Sequence, residues 1–183
     1  KTKMPQGFIN LLNAEADRIL YDEKLSKDRD WSHSLAGNVK KEVSIDHKKI
    51  PQFPEFLMTI ANEYYQRIIN SEPAIGSKVG LSVWVVSQYA GDFNPWHHHS
   101  GDFSAGIYLK IPEGMSEEWE EDMKDHYPAK GLIEFCYGDG QDFRSDNLKF
   151  KPEVGKFLVF PAWLKHFVYP FTCKGERRMM SFN

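Results

Sequence analysis

The chain has 183 residues, of which 41% are hydrophobic, and this predicts one folded domain over residues 1–183 rather than a disordered protein. A formal charge of −3, with no run of more than two Lys or Arg residues, argues against a nucleic-acid interface. The two cysteines are too few for a disulfide framework or a four-cysteine zinc site. No apolar run approaches the roughly 18 residues of a membrane helix, so we expect a cytoplasmic protein without a membrane partner.

Residues 1–79 are predicted to form a helical support region that also contains one strand. Apolar residues recur at helical spacing over Phe8–Leu20 and again from Pro54 to about Ile69. Glu55 lies in the first turn of the second helix, where the helix dipole favours an anion. Between the helices, a polar stretch leads into a predicted strand near Val39–Ile45.

Residues 80–183 consist of short segments rich in β-branched and aromatic residues, which favour strands. Turn-forming residues such as Gly91-Asp92 and Gly101-Asp102 separate them. The predicted strands are Leu81–Tyr89, Phe103–Ile111, Leu132–Tyr137, Asn147–Lys151, Lys156–Phe160, Lys165–Tyr169 and Arg177–Asn183. Many short strands at this spacing predict a mainly β sandwich or barrel, with the two N-terminal helices packed on one sheet.

Three consecutive histidines follow the first of these strands. In an extended backbone, side chains at i and i+2 point to the same side, so His97 and His99 can reach one point while His98 faces away. Imidazole is a common ligand of iron, zinc and copper, and a carboxylate, Asp102, lies five residues after His97. The cluster therefore predicts a metal site, with a histidine-rich surface as the alternative.

A second ordered pattern lies near the C-terminal end of the sequence. Gly155 turns the chain into a buried strand, Pro161 ends it, and His166 opens the next strand. Arg177 follows eleven positions after His166 on the last predicted strand. If Arg177 points inward, strand alternation turns Arg178 outward.

Together these segments resemble the double-stranded β-helix oxygenases that use iron(II) and 2-oxoglutarate, which include the prolyl hydroxylases. The similarity is strongest to a branch found in phages and marine bacteria, with an NPxHxHxGDxSxxxYL motif and a GxxxxFPxxxxHxVxP…ERxxxSFN ending. It covers about Gly80–Asn183, and Leu35–Asn38 is a candidate addition. The resemblance implies a cupin-like jelly roll for residues 80–183 and, for a phage-encoded protein, the host cytoplasm.

The resemblance also implies roles for individual residues. His97 and His166 correspond to iron ligands, and Arg177 corresponds to the residue that pairs with the far carboxylate of 2-oxoglutarate, a role suited to a planar guanidinium. Tyr108 matches a tyrosine that binds the same carboxylate, and Tyr89 matches one that lines the pocket. The implied reaction uses O₂, converts 2-oxoglutarate to succinate and CO₂, and hydroxylates a substrate.

The chain departs from the family pattern at one position. Most members have His-x-Asp, whereas residue i+2 here is His99. Either His97, His99 and His166 form an all-histidine triad, or Asp102 folds back to supply the anion. Strand stereochemistry favours His99, and the charge of a ferrous ion favours Asp102.

The substrate stays open between a peptide, of prolyl type by analogy, and a small molecule, as does the oligomeric state. Trp96, beside the histidines, is the candidate substrate contact, and the acidic insertion Pro112–Lys130 is either a lid or a solvated helix. A cupin-like metalloenzyme without 2-oxoglutarate is the rival enzyme, and a jelly-roll binding domain is the non-enzymatic rival. The position of Arg177 after His166 favours the 2-oxoglutarate enzyme.

Overall fold

The computed structural model describes residues 3–34, 36–70, 80–122, 124 and 126–183, which build two facing β-sheets with helices on one of them. The helices are α1 (Gln6–Leu20), α2 (Glu23–Asp28), α3 (Phe53–Tyr64), which continues as a π-helical turn at Tyr65–Ile69, and α4 (Met115–Asp122). The strands are β1 (Lys41–Ser44), β2 (Val83–Gln88), β3 (Asn94–His97), β4 (Phe103–Lys110), β5 (Ile133–Cys136), β6 (Asn147–Phe150), β7 (Phe157–Pro161), β8 (Lys165–Val168) and β9 (Arg177–Phe182).

Strand order identifies the fold. Within the described residues the large sheet has the order β1-β2-β9-β4-β7 and the small sheet the order β3-β8-β5-β6. Every pairing between these strands is antiparallel. The chain alternates between the two sheets from β2 to β5 and again from β6 to β9, which is the winding of a double-stranded β-helix. The predicted jelly roll is confirmed.

The main hydrophobic core lies between the large sheet and helices α1 and α3. Their apolar positions recur every three or four residues, so each helix presents one apolar stripe to the sheet. Alternate residues of β2, β4 and β9 point outward to meet these stripes. The buried set includes Leu12, Ala16, Ile19, Phe53, Leu57, Val83, Val85, Ile107, Met180 and Phe182. The intervening residues of the same strands face the small sheet and remain available to line a cavity.

Two elements were not predicted, and both have local reasons. Helix α2 has only six residues, and its visible signal is Asp22, whose side chain accepts a hydrogen bond from Leu25 N at 2.9 Å. Strand β3 contains Pro95, which cannot donate to a ladder. Proline is tolerated there because β3 is an edge strand of the small sheet, and its pairing with β8 is irregular between Asn94 and His97.

The acidic insertion Pro112–Lys130 contains helix α4, which is hydrogen-bonded to the loop before β9. Met115 and Glu118 are buried. The Glu118 carboxylate accepts hydrogen bonds from Thr172 N at 2.6 Å and Cys173 N at 2.9 Å. No helix among the described residues is long and apolar enough to cross a bilayer.

Candidate active site

A cavity lies between the two sheets. Its empty volume, including the solvent space at its open mouth, is about 610 Å³. Its walls are the inward-facing residues of both sheets, so strand alternation decides which side chains reach it. The residues that line it include Glu42, Trp84, Val86, Gln88, Asn94, His97, His99, Tyr108, Phe160, His166, Val168, Arg177 and Met179.

Three histidines meet in this cavity. His97 on β3 lies directly opposite His166 on β8 in the strand pairing, with ring centroids 4.2 Å apart. The His99 ring lies 5.1 Å from each of the other two, and its backbone N–H donates to Ala162 O at 2.9 Å. One ring nitrogen from each histidine lies within 4.8 Å of the others, a spacing that could hold a metal ion.

Hydrogen bonds orient two of these rings for coordination. Nδ1 of His97 donates to Pro95 O at 2.7 Å, and Nδ1 of His166 donates to Leu164 O at 3.0 Å. A carbonyl oxygen can only accept, so the proton sits on Nδ1 and Nε2 keeps its lone pair. Burial lowers the pKa of His166 to about 3 and that of His99 to about 4, and it also lowers the pKa of His97. All three imidazoles are therefore neutral at neutral pH, the state in which an imidazole can bind a metal ion.

Asp102 is not brought to the histidines. It is exposed, and its carboxylate accepts a hydrogen bond from the Tyr65 hydroxyl at 2.6 Å. The backbone at Asp102 is anchored by Ala162 N, which donates to its carbonyl at 3.2 Å. Within the described ranges, the only grouping of His, Cys, Asp or Glu able to share a metal is the three histidines. The geometry thus favours His99 over Asp102 as the third ligand.

Arg177 supplies an uncompensated positive charge to the same cavity. It is 3% exposed, and its guanidinium donates to Gln88 Oε1, from Nε at 3.1 Å, and to the backbone oxygen of Gly131. These acceptors are neutral, and Arg177 forms no ion pair within the part of the chain described. Desolvation lowers its pKa, against a smaller opposing effect of Tyr108. A buried guanidinium with neutral partners suits an anionic ligand.

Tyr108 lies on the neighbouring strand and faces the same space. It is 1% exposed, and burial raises the pKa of its hydroxyl while Arg177 opposes that shift. Among the described residues its hydroxyl forms no side-chain hydrogen bond. The phenol therefore offers a free donor beside the Arg177 guanidinium.

Two other predicted site residues do not line the cavity. Tyr89 follows Gln88, which points inward, so alternation turns Tyr89 away, and its backbone N–H donates to Asp92 at 2.9 Å. Trp96 is 48% exposed and packs on Phe167, with ring centroids 5.7 Å apart, on the outer face of the small sheet.

Arg178 points away from the cavity, as alternation predicts, but it is not solvated. It is fully buried beneath α1, where it forms ion pairs with Glu176 and Asp17, each at 2.7 Å. The two adjacent arginines are therefore both buried, one among carboxylates and the other among neutral groups.

Sequence reasoning missed a polar chain that links Arg177 to the segment before β1. Gln88 accepts from Arg177 and donates through Nε2 to Asn94 Oδ1 at 3.0 Å, and Asn94 Nδ2 donates to Ala36 O at 2.6 Å. The signal was a polar residue at an inward position of β2, in phase with Trp84. Of the candidate stretch Leu35–Asn38, Leu35 lies outside the described residues, and the rest lies against β3.

Glu42 was also missed, although a charged residue inside the predicted strand Val39–Ile45 was a visible signal. It is 4% exposed and lines the cavity, and its Oε1 has no hydrogen-bond partner among the described residues. Burial, with smaller effects of Asp30 and Asp92, raises the pKa of this carboxyl to about 7.

Comparison with known families identifies this arrangement. Residues 82–183, more than half of the chain, match the model of the family described as "Putative 2OG-Fe(II) oxygenase". The chain belongs to this 2-oxoglutarate and iron(II) oxygenase family. No curated protein sequence matches it significantly. Membership decides against the rival without 2-oxoglutarate and against a binding-only domain, and it confirms a 2-oxoglutarate-dependent dioxygenase.

Solved structures of this fold include hydroxylases. A prolyl-4-hydroxylase from Pseudomonas putida is 16% identical, with a TM-score of 0.62 over 98% of this chain and 86% of that one. AviO1 from Streptomyces viridochromogenes is 15% identical, with a TM-score of 0.59 over 98% and 84%. A Trichoplax adhaerens prolyl hydroxylase, in complex with a hypoxia inducible factor peptide, is 14% identical, with a TM-score of 0.50 over 78% and 60%. At these identities the likeness shows the fold alone.

The oxygenase family uses iron(II) and 2-oxoglutarate as cofactors and O₂ as a reactant. The residues present fit both groups. Three neutral imidazoles converge on one point, which suits a divalent first-row metal. The buried Arg177 faces the same cavity and forms no ion pair with a protein carboxylate in the described part of the chain, which suits a dicarboxylate cosubstrate.

Proposed function

We propose that this oxygenase hydroxylates a peptidyl substrate of prolyl type or a small molecule, with release of succinate and CO₂. In this proposal His97, His99 and His166 hold iron(II), and Arg177 and Tyr108 hold 2-oxoglutarate. The observation that carries it is the buried Arg177, whose partners in the described part of the chain are neutral and which faces the same cavity as the three histidines.

Each residue has a physical task in this reaction. Iron(II) and 2-oxoglutarate, when bound, supply O₂ activation coupled to oxidative decarboxylation. The histidines stay neutral and keep a nitrogen lone pair available because burial opposes their protonation. Arg177 binds the far carboxylate through its planar donors, and Tyr108 adds one hydroxyl donor. Trp84, Phe160 and Val168 give the cavity apolar walls, which exclude water from the reacting atoms.

A peptidyl substrate is supported by exposed aromatic residues near the histidines. Trp163 directly follows Ala162, whose carbonyl oxygen accepts a hydrogen bond from His99 N. The centroid of the Trp163 ring lies 5.5 Å from that of the Tyr137 ring. These side chains are 58% and 64% exposed, respectively. An exposed aromatic pair can pack on a pyrrolidine ring or another apolar side chain. The peptide-bound Trichoplax hydroxylase, which shares the fold, adds a precedent for this substrate class.

The ligand assignment is tested by comparing His99→Ala with Asp102→Ala. Anaerobic protein is titrated with iron(II) in the presence of 2-oxoglutarate, and the visible absorption that develops when both bind is recorded. We expect Asp102→Ala to resemble wild type and His99→Ala to lose most of its iron binding. Iron binding that survives in His99→Ala and is lost in Asp102→Ala would reverse the assignment.

The substrate class is tested by incubating the reconstituted enzyme with a library of prolyl peptides and with a small-metabolite pool. Mass spectrometry detects products that have gained one oxygen atom, and succinate is measured in parallel. A peptide product supports the prolyl-type reaction, and a product only in the metabolite pool supports the small-molecule alternative. If succinate forms but no oxygenated product is found in either mixture, hydroxylation of both substrate classes is contradicted.

A further inference from the structure

The cavity contains a carboxylate that neither the histidines nor the cosubstrate pair uses. Glu42 lies on β1, the edge strand of the large sheet, opposite Val86. Val86 is opposite Met179, and Met179 is opposite Tyr108, so these side chains form one inward-facing row across the sheet. Glu42 and Tyr108 therefore mark the two ends of that row.

The spacing separates Glu42 from the residues assigned to 2-oxoglutarate. From β4 to β1 the sheet crosses three steps between strands, each about 4.8 Å, or about 14 Å along the sheet. Tyr108 lies at the far end of this span, and Arg177 projects from β9, two strand steps or about 10 Å from β1. The Glu42 end is thus available to a second molecule that shares the cavity.

The environment of Glu42 lacks a partner for its charge. Its Oε1 is buried without a hydrogen bond, and neither of its carboxylate oxygens forms a side-chain hydrogen bond or ion pair in the described part of the chain. A buried carboxylate in this state is unfavourable unless it is protonated or a ligand satisfies it. This is the opposite of Glu118, a second buried carboxylate, which is bound by Thr172 and Cys173.

The neighbouring charges favour a cation over a neutral donor. The ionised groups that act on Glu42 are the carboxylates Asp30 and Asp92, and both raise its pKa. A hydroxyl or an amide N–H could satisfy one oxygen, but only a positive charge also gains from the two carboxylates nearby. Arg177 favours an anion at its own position, so the cavity carries opposite preferences in two places.

We propose that Glu42 binds a protonated amine of the substrate and thereby selects cationic substrates for this oxygenase. This inference rests on the proposed function, because it concerns the substrate of the same cavity. The ammonium group donates to the Glu42 carboxylate, and the rest of the substrate extends along the row toward the histidines. The same charge repels the dicarboxylate cosubstrate from the Glu42 end, which keeps the two molecules in separate positions.

The test uses matched probes that differ in charge. Prolinamide, lysinamide and pyrrolidine are each paired with their fully N-acetylated derivatives, which keep the carbon skeleton but carry no ammonium group. Binding to anaerobic protein loaded with iron(II) and 2-oxoglutarate is measured by calorimetry and by the fluorescence of the protein's tryptophans, including Trp84 in the cavity wall. In wild type we expect at least one amine to bind about tenfold more tightly than its acetylated partner.

Glu42→Gln keeps the shape of the side chain and removes the charge. We expect it to abolish the preference for that amine while the affinity for its acetylated partner stays within about twofold. Glu55→Gln, on the exposed first turn of α3, is the matched control and should retain the preference. Thermal unfolding of each variant verifies that the fold is intact, and Glu42→Asp should restore part of the preference if Gln acts only through the lost charge.

Two results would overturn the inference: no amine that binds better than its acetylated partner in wild type, or a preference that persists in Glu42→Gln. The proposed function has a separate readout in the same samples, the visible absorption of bound iron(II) and 2-oxoglutarate. If that absorption is absent while apo-protein still prefers the amine through Glu42, the proposed function fails and the recognition role of Glu42 stands. If the absorption is normal and the preference is absent, only the inference about Glu42 fails.

Discussion

The adjacent arginines of β9 allow stability and cosubstrate binding to be separated by two single substitutions. Arg178→Met removes a fully buried guanidinium from Glu176 and Asp17. Breaking a buried ion pair by removal of one partner costs about 3–5 kcal/mol. Lys110 remains 3.6 Å from Glu176 and 3.2 Å from Asp17, so we expect the lower end, about 3 kcal/mol. For a chain of 183 residues that lowers Tm by about 6–12 °C.

Arg177→Met removes a charge whose partners in the described part of the chain are neutral. Gln88 and the Gly131 carbonyl each lose a donor, but the protein no longer buries an uncompensated guanidinium. We expect these effects to offset each other, so that Tm changes by less than about 4 °C. Loss of the proposed bidentate bond to 2-oxoglutarate should weaken binding of the cosubstrate by about 3 kcal/mol, or about a 100-fold rise in Kd.

The assays are thermal unfolding by circular dichroism and titration of the anaerobic iron(II) protein with 2-oxoglutarate. Arg178→Met should lower Tm. Measured below the Tm of this variant, its affinity for 2-oxoglutarate should stay within about threefold of the wild-type value. A loss of more than about 6 °C in the Tm of Arg177→Met, with unchanged cosubstrate affinity, would contradict the proposed role of Arg177. A weaker cosubstrate affinity in folded Arg178→Met would equally refute the assignment of a purely structural role to that residue.

Three further predictions concern stability. The pKa of Glu42 in the folded protein is about 7, above its ordinary value of 4.5, so ionisation of Glu42 destabilises the fold as pH rises between these values. The free energy of unfolding of Glu42→Gln in urea should therefore match that of wild type below pH 4.5 and exceed it by about 3 kcal/mol above pH 7. Glu118→Ala should lower the free energy of unfolding by about 3 kcal/mol at neutral pH. Burial raises the Glu118 pKa, but bonds from Cys173 and Thr172 lower it further than burial raises it, so this deficit should shrink as the wild-type carboxylate is protonated in acid. Gly37→Ala should lower the free energy of unfolding by about 2 kcal/mol. Gly37 has a φ of +143°, and a Cβ added there would lie 2.6 Å from Asn94 Nδ2. Unchanged amide-exchange protection at Asn38 would contradict this prediction.

Local sequence pattern was sufficient for the strands and for part of the site. The β-branched and aromatic segments after Gly80 predicted the strands of the family-matched region except β3, usually to within two residues. The same two-residue period placed His97 and His99 on one side and turned Arg177 and Arg178 to opposite sides. These features depend on neighbouring residues of one extended segment, so they are encoded locally.

What the sequence could not decide were contacts between segments distant along the chain. His99 rather than Asp102 joins the other histidines because β3 pairs with β8, about 70 residues later, while Tyr65 of the helical region binds Asp102. The burial of Arg178 follows from α1, whose Asp17 pairs with it, and the contact of Trp96 with Phe167 follows from the pairing of β3 with β8.

Glu42 is the clearest case. Its position in a short strand was visible, but its exposure and its missing partner depend on which strand pairs with β1 and which face the helices cover. The alternation of side chains is a property of the extended backbone, and the sequence by itself determines it. Which side chains then meet in a cavity depends on strand register and sheet winding, and these are set by the packing of the whole chain.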